Sequence, residues 1–200
     1  MIPLIAAEND HLARLRQHVI KLKEKAKSGK TLNRRETRWL TRVSHLYQVT
    51  EDEFVSTAEA EWTLLLRRID TLPPSLVLAQ AALESGWGTS RFARQGLNLF
   101  GQWCYQKGCG LVPRKRHSQQ HHEVEKFASV EDSIQRYFLN LNRLAVYRPL
   151  RVIREAQRSR NQSLQGESLA RGLRGYSEQG ALYIEKVQTT ITANGLDQLD

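Results

Sequence analysis

The segment Ala81-Ala82-Leu83-Glu84-Ser85-Gly86-Trp87-Gly88-Thr89-Ser90 contains the end of a predicted helix. That helix is predicted to begin at Pro73-Pro74, because proline fits the first turn of a helix. The glycines at 86 and 88 end it. Steps of four and three residues from Val77 through Ala81 put Glu84 on, or at the border of, the apolar face.

A carboxyl group at that position suits a general acid. Apolar surroundings disfavour the charged form, raise the pKa and keep a proton available for a leaving-group oxygen. The following glycines let a ligand approach the backbone. A solvated glutamate at a helix end fits the spacing equally well, so Glu84 is at this point a candidate only.

The first third of the chain predicts three amphipathic helices. The first helix ends near Ser28-Gly29, and Asn33 with Glu36 forms a capping-box pattern for the second. Thr50 and Glu53 repeat that pattern for the third. We interpret the apolar stripes as core contacts with the rest of the chain, with a partner-binding module as the alternative.

Downstream, residues 101–126 are rich in glycine and basic residues and predict a loop or small hairpin lobe. Residues 121–127 alternate loosely, which indicates a strand. Ser129 and Asp132 predict the start of another helix, and the last helix ends at Asn194-Gly195.

The bulk composition limits the classes of protein. Two hundred residues, 40% of them hydrophobic, suffice for one compact domain or for a modest domain with an accessory segment. The net charge of +9 favours an anionic partner such as nucleic acid, anionic lipid or an acidic wall polymer. No apolar run reaches the roughly 18 residues of a membrane span, and no secretory signal is visible.

Two cysteines, Cys104 and Cys109, flank a short segment with Gly108. The nearby histidines do not complete a recognised zinc pattern, so we predict no metal site. We favour a small loop-closing disulfide over two free thiols, because glycines let the loop turn tightly. A disulfide would imply an oxidising compartment.

Several separated motifs resemble one family. Residues 81–90, followed by Asn98-Leu99-Phe100-Gly101 and Trp103, are similar to the glucosaminidase family of peptidoglycan hydrolases. Within it, Gly101-Gln102-Trp103-Cys104 and residues 108–113 most resemble the Bax-type proteins of Gram-negative bacteria. The resemblance covers about residues 65–191.

The resemblance implies an α+β, mostly helical, lysozyme-like fold with a large helical lobe, a small β-lobe and a saccharide groove between them. We expect residues 1–68 to form an N-terminal helical accessory segment and residues 69–200 the catalytic domain. The family places Glu84 as catalytic acid and implies hydrolysis of the β-1,4 bond after N-acetylglucosamine in peptidoglycan. Tyr176 resembles the first tyrosine of a late family motif that lines the catalytic cleft.

The second carboxylate is predicted from the same resemblance. Glycosidases usually pair two carboxyl groups, roughly 5 Å apart in retaining and 6.5 to 9.5 Å apart in inverting enzymes. In the family the partner precedes a phenylalanine that matches Phe127. Glu123 and Glu125 both precede it, and we prefer Glu123, because its His-Glu-Val context resembles the Bax-type pattern. The family also admits assistance by the substrate's own N-acetyl group.

Three further side chains are candidate substrate contacts. Trp103 offers an aromatic face for a sugar ring, and Phe100 is a second aromatic beside it, although packing is the alternative for both Phe100 and Trp87. Asn98 either bonds a sugar or holds the loop.

We expect an enzyme without cofactor or metal, a monomer that acts on peptidoglycan glycan strands in the periplasm or cell envelope, with no nucleic-acid partner and no integral membrane segment. The alternatives are a lytic transglycosylase, which shares the fold but leaves an anhydro-sugar, and a non-catalytic protein that binds glycan or nucleic acid.

Overall fold

The computed structural model describes residues 1–49, 58–113 and 121–200. The described helices and strands follow one another in this order: α1 (Ile2–Lys27), α2 (Arg34–Leu46), α3 (Ala58–Arg68), α4 (Pro74–Ser85), α5 (Arg91–Gly96), β1 (Trp103–Cys104), β2 (Gly110–Leu111), β3 (Glu123–Glu125), α6 (Val130–Arg143), α7 (Arg148–Ser159), α8 (Gly166–Ala170) and α9 (Ala181–Ala193). Two short 3-10 helices cover Ala145–Tyr147 and Leu196–Leu199.

The helix ends follow the local signals of the sequence. Asn33 caps α2 by accepting from the N–H groups of Arg35 and Glu36, and Glu36 reaches back to the N–H of Asn33 at 2.7 Å, which completes the predicted capping box. Ser129 likewise caps α6 by accepting from the N–H of Asp132. The predicted capping pair Thr50 and Glu53 lies outside the described residues.

Helix α4 is the centre of the molecule. It begins at Pro74, and Gly86 ends it with a φ of 56° in the left-handed region that favours glycine. Residues on several faces of the helix are buried, because α8, α9 and the last 3-10 helix pack around it. A helix that is apolar on most sides is stable only inside a protein, so the predicted proton donor stands on a rigid internal support.

The strands form one small antiparallel sheet in the order β1-β3-β2. Val124 is opposite Trp103 on one side and Leu111 on the other. The predicted disulfide is confirmed: Cys104 and Cys109 are bonded, with their α carbons 6.2 Å apart. The bond ties the end of β1 to the start of β2.

One buried cluster contains apolar residues from both ends of the chain. Ile5, Leu12 and Val19 of α1 belong to the same cluster as Leu76 of α4 and Val187 of α9. Burial of each such side chain contributes roughly 1.5 to 3 kcal/mol. The prediction that the N-terminal stripes make core contacts is therefore confirmed for α1.

A buried carboxylate joins the N-terminal helices to α7. Asp70, only 3% exposed, lies within 3.9 Å of Arg16 of α1, 3.8 Å of Arg154 and 2.9 Å of Arg158. Burial alone would raise the pKa of Asp70, but the surrounding arginines outweigh it and hold that pKa below its ordinary value.

The predicted fold class is confirmed: the molecule is α+β, with a large helical part and a small three-stranded β-lobe. None of the helices in the described parts of the chain is long and apolar enough to cross a membrane.

Candidate active site

Glu84 occupies the last turn of α4, where the chain reverses at Gly86. The side chain is half-buried, and burial raises the pKa of its carboxyl group above the ordinary glutamate value. A hydrogen bond from Tyr183 opposes that rise without cancelling it. The balance keeps the protonated form available at higher pH than for a solvated glutamate, as a general acid requires.

A line of buried polar groups leads from the core to Glu84. The hydroxyl of Tyr137 donates to Oε1 of Gln80 at 2.5 Å, and Nε2 of Gln80 donates to the Tyr183 hydroxyl at 2.8 Å. Tyr183 in turn donates to Oε1 of Glu84 at 2.7 Å. The line thus joins α6, α4 and α9 at the carboxyl group.

Tyr176, predicted as a site residue, lies beside this line. Its ring stacks on the ring of Tyr183, with centroids 5.3 Å apart and planes 4° from parallel. Its hydroxyl donates to the carbonyl oxygen of Phe100 at 2.9 Å. Tyr147 approaches from the other side, at 5.9 Å between ring centroids. Tyr176 therefore connects the tyrosine next to Glu84 with the loop before the β-lobe.

That loop brings backbone close to the carboxyl group. Gly101 has a φ of 64°, and a Cβ placed there would lie 3.4 Å from Oε2 of Glu84. Oε2 receives no hydrogen bond from any residue of the described ranges. The two oxygens of Glu84 thus differ, because Oε1 accepts from Tyr183, whereas Oε2 lies near Gly101 and has no donor in the described ranges.

Two of the predicted substrate contacts, Phe100 and Asn98, are buried in the structure. The ring of Phe100 is 2% exposed and stacks on Tyr137 at 4.0 Å, so it is part of the core. Asn98, 1% exposed, accepts from the N–H of Gln102 and donates to the carbonyl oxygens of Gln102 and Glu125. Of its two predicted roles, Asn98 has the structural one: it holds the loop that carries Gly101.

The two tryptophans of the motif are both on the surface. Trp103, two residues after Gly101, is 55% exposed, and its ring stacks on that of His122 with centroids 4.0 Å apart. The packing interpretation of Trp87 was wrong, because this residue is 66% exposed. Its backbone φ is 56°. It borders a largely apolar cavity of about 490 Å³ beside α4.

The two candidate partner carboxylates have different surroundings. Glu123 is 5% exposed, and its oxygens accept from the N–H groups of Gly108, at 3.0 Å, and Gly110, at 2.8 Å. Glu125 forms an ion pair with Arg136 at 3.1 Å. Glu123 is thus buried and held by one backbone donor inside the disulfide loop and one just after it, whereas Glu125 is partly exposed and pairs with Arg136.

Glu123 also belongs to the one group of possible metal ligands in the described ranges, together with the two cysteine sulfurs. Those two sulfurs are bonded to each other. A disulfide sulfur is not the thiolate that a metal binds, so the group as it stands does not fit a metal centre.

Gln80 and Tyr183 are two residues of the site that were not predicted from the sequence. Gln80 gives one signal in the sequence: it is a polar residue within an apolar helix, four residues before Glu84, and buried polar groups require partners. The tyrosine that would meet it comes from α9, more than one hundred residues later, and nothing in the local pattern predicts that pairing.

Comparisons with known proteins show the family of the chain. The model of the glucosaminidase family, described as mannosyl-glycoprotein endo-beta-N-acetylglucosaminidase, matches residues 61–196. Protein bax of Escherichia coli (strain K12) is 37% identical over 128 residues, which is 64% of this chain and 45% of that protein. The chain thus aligns with less than half the length of this relative.

Among solved structures, the catalytic domain of the autolysin Auto from Listeria monocytogenes is similar, with a TM-score of 0.49 and 20% identity over 90% of this chain and 96% of that one. The family model covers more than half of the chain and spans α4, the β-lobe and α9. This chain belongs to the glucosaminidase family.

Proposed function

We propose that the protein hydrolyses the β-1,4 glycosidic bond after N-acetylglucosamine in peptidoglycan glycan strands, with Glu84 as general acid. The observation that carries this proposal is the state of Glu84. It is half-buried at the end of an internal helix, its pKa is raised, and its Oε2 borders a glycine rather than a hydrogen-bond donor. A proton on Oε2 is therefore available to a leaving-group oxygen.

Glu123 is our candidate for the second carboxylate. Its two backbone N–H donors favour the ionised form of the carboxyl group, and a base or nucleophile has to be ionised. A site with one protonated and one ionised carboxyl group can donate a proton and stabilise a developing positive charge in the same step. If Glu123 instead only anchors the disulfide loop, its loss would lower stability and leave the catalytic rate of the folded protein unchanged.

Trp103 and Tyr176 complete the proposed site. The exposed indole offers a face for a sugar ring, and Tyr176 holds the ring of Tyr183 in place beside the acid. The disulfide fits an oxidising compartment, so we place the protein in the periplasm or cell envelope. We propose that it acts there as a monomer, without metal or cofactor.

The test is the activity of Glu84→Gln on purified sacculi. Loss of a general acid should lower the rate by about 10³-fold while the circular dichroism spectrum and melting temperature stay close to those of the wild type. Glu185→Gln, an exposed glutamate on α9, is the matched control and should retain full activity. Activity retained by Glu84→Gln would refute the assignment.

Mass spectrometry of the released fragments tests the reaction and the bond. Reducing N-acetylglucosamine ends are expected, because water is the acceptor in hydrolysis. Anhydro-muramyl ends would instead identify a lytic transglycosylase. Release of glycan from a mannosyl glycoprotein but not from sacculi would move the substrate to the class named in the family description.

A further inference from the structure

Gln80, one helical turn before Glu84 on α4, sets the direction of the hydrogen bonds that end at Glu84. We propose that Gln80 is a positioning residue that makes Tyr183 a donor to Oε1 of Glu84 and so reserves Oε2 for the transferable proton. This inference rests on the proposed role of Glu84 as general acid. It concerns a residue that touches neither the substrate nor the reacting atoms.

The chemistry of the side chains fixes the direction. A tyrosine hydroxyl has one proton, so Tyr183 can donate either to Gln80 or to Glu84 but not to both. In this structure the amide nitrogen of Gln80 donates to the Tyr183 oxygen at 2.8 Å. The Tyr183 proton is therefore directed to Glu84, where the oxygen-to-oxygen distance is 2.7 Å.

Tyr137 prevents the amide of Gln80 from turning over. Its hydroxyl donates to Oε1 of Gln80, and no other residue of the described ranges accepts from it. If the amide were reversed, its nitrogen would face Tyr137 and the proton of this buried hydroxyl would lose its acceptor. An unmade hydrogen bond of that kind costs about 1 to 3 kcal/mol. Gln80 itself is fully buried, so water does not offer it another partner.

The rings of the two tyrosines are held independently of Gln80. Tyr183 stacks on Tyr176, and Tyr137 stacks on Phe100 with centroids 4.0 Å apart. A change at position 80 therefore alters the hydrogen bonding of the hydroxyl groups while the rings keep their supports. This separates a positioning role from a general packing role.

The titratable groups that face Glu84 in the described ranges are four tyrosines, from α6, the 3-10 helix at 145–147, the turn after α8, and α9. They are Tyr137, Tyr147, Tyr176 and Tyr183. Burial raises the pKa of each, that of Tyr147 to about 12, so all four stay neutral at neutral pH. The protonation of Glu84 is thus controlled by burial and by the Tyr183 hydrogen bond.

The experiment measures the pKa of Glu84 directly, by ¹³C NMR of protein labelled at the glutamate side-chain carboxyl carbons. Glu84→Gln identifies the resonance. The substitution Tyr183→Phe removes the donor and should raise this pKa by about one unit. Tyr137→Phe removes only a remote hydroxyl and frees the amide of Gln80, so it should shift the pKa in the same direction by a few tenths of a unit, roughly a third of the Tyr183→Phe effect.

The substitution Gln80→Glu tests the direction of the bond. In its ionised form, the new carboxylate has the shape of the amide but can only accept, so it accepts from Tyr183. This turns the Tyr183 proton away from Glu84 and raises the pKa of Glu84. A new charge at position 80 could also act through space. The double variant Gln80→Glu/Tyr183→Phe separates the two effects, because a relay through the Tyr183 hydroxyl leaves little additional shift once that hydroxyl is gone.

The inference would be overturned if Gln80→Glu shifted the pKa of Glu84 equally in the presence and in the absence of the Tyr183 hydroxyl. It would also be overturned if the pKa of Glu84 were unchanged in Tyr137→Phe. If Gln80→Glu does not fold, the Tyr137→Phe measurement still decides, since that variant keeps the ring and its stacking. The readout needs no turnover. If Glu84→Gln stays active, the proposed function is refuted. If Glu84→Gln is inactive but the pKa of Glu84 does not move in the other variants, only the positioning role of Gln80 is refuted.

Discussion

Gly101 lies against Glu84 so closely that a methyl group on its α carbon would sit 3.4 Å from Oε2 of the carboxyl group. If Glu84 is the general acid that we propose, that methyl would block the approach of the leaving-group oxygen to Oε2. We therefore expect Gly101→Ala to lower kcat/KM on sacculi by about 10²-fold or more, because small displacements at a reacting centre have effects of this size.

The substitution also forces alanine into a φ of 64°, which costs roughly 1 to 2 kcal/mol of stability. Gly29→Ala is the matched control. Its φ is 75° and nothing lies within 4 Å of the added carbon, so it should show a similar loss of melting temperature with wild-type activity. Equal activity of the two variants would mean that the space beside Gly101 is not used in the reaction.

Substitution of Glu123 and of Glu125 should lower stability by different amounts. Glu123→Gln replaces one acceptor by an NH₂ group that faces a backbone donor, and this should cost about 1 to 3 kcal/mol. Glu125→Gln loses one surface ion pair with Arg136, which is worth at most about 1 kcal/mol. Thermal melts compare the two variants.

Activity of the folded variants then separates the two roles of Glu123. If it is the catalytic partner, Glu123→Gln should be slower by at least about 10²-fold at temperatures where it is fully folded. A pure anchor would melt earlier but keep its kcat. Wild-type rates in both variants would favour assistance by the N-acetyl group of the substrate.

Trp103→Ala should weaken glycan binding. Loss of a stacking face is worth about 0.5 to 1.5 kcal/mol, which corresponds to a roughly 2- to 10-fold rise in KM with little change in kcat. Trp87→Ala removes an equally exposed indole on the other side of the motif and serves as the control. A rise in KM for Trp87→Ala alone would move the glycan to the cavity beside α4.

Asp70→Asn should destabilise the whole protein. It leaves Arg16, Arg154 and Arg158 without their buried counter-charge, at a cost of about 3 kcal/mol, or roughly 10 °C in melting temperature. Asp10→Asn, at an exposed position of α1, is the control and should melt with the wild type.

The pH dependence of stability shows whether the charge of Asp70 is responsible. Because the pKa of Asp70 is lower in the folded state than in the unfolded chain, its contribution to stability is complete above the unfolded value and is lost as the pH falls through the folded value. The difference in melting temperature between wild type and Asp70→Asn should therefore narrow below about pH 4. A constant difference down to pH 2 would show that the charge of Asp70 is not responsible.

Local signals in the sequence predicted the elements well, because capping and helix termination depend on neighbouring residues. Asn33, Ser129 and Gly86 each end or begin a helix where expected. The spacing within α4 placed Glu84 at the border of the apolar face but left a solvated glutamate equally possible, and the resemblance of the surrounding motifs to the family favoured the acid. The disulfide followed from the small loop that encloses Gly108.

The rest of the site depends on contacts between distant parts of the chain. Phe100 and Trp87 are both aromatic residues beside the motif, yet one is buried and the other exposed. The difference comes from Tyr137, which lies 37 positions after Phe100 and covers its ring. Likewise, the partners of Gln80 come from α6 and α9, and no periodicity in α4 specifies them.

Helix α1 carries a practical consequence for transplantation of the catalytic unit. The segment matched by the family model starts at residue 61, so a chimera designed on those limits would omit α1 and α2. The core surface that is now covered by Ile5, Leu12 and Val19 would then be exposed. Asp70 would also lose its ion pair with Arg16. The minimal unit that can be moved into another protein therefore includes the first helix.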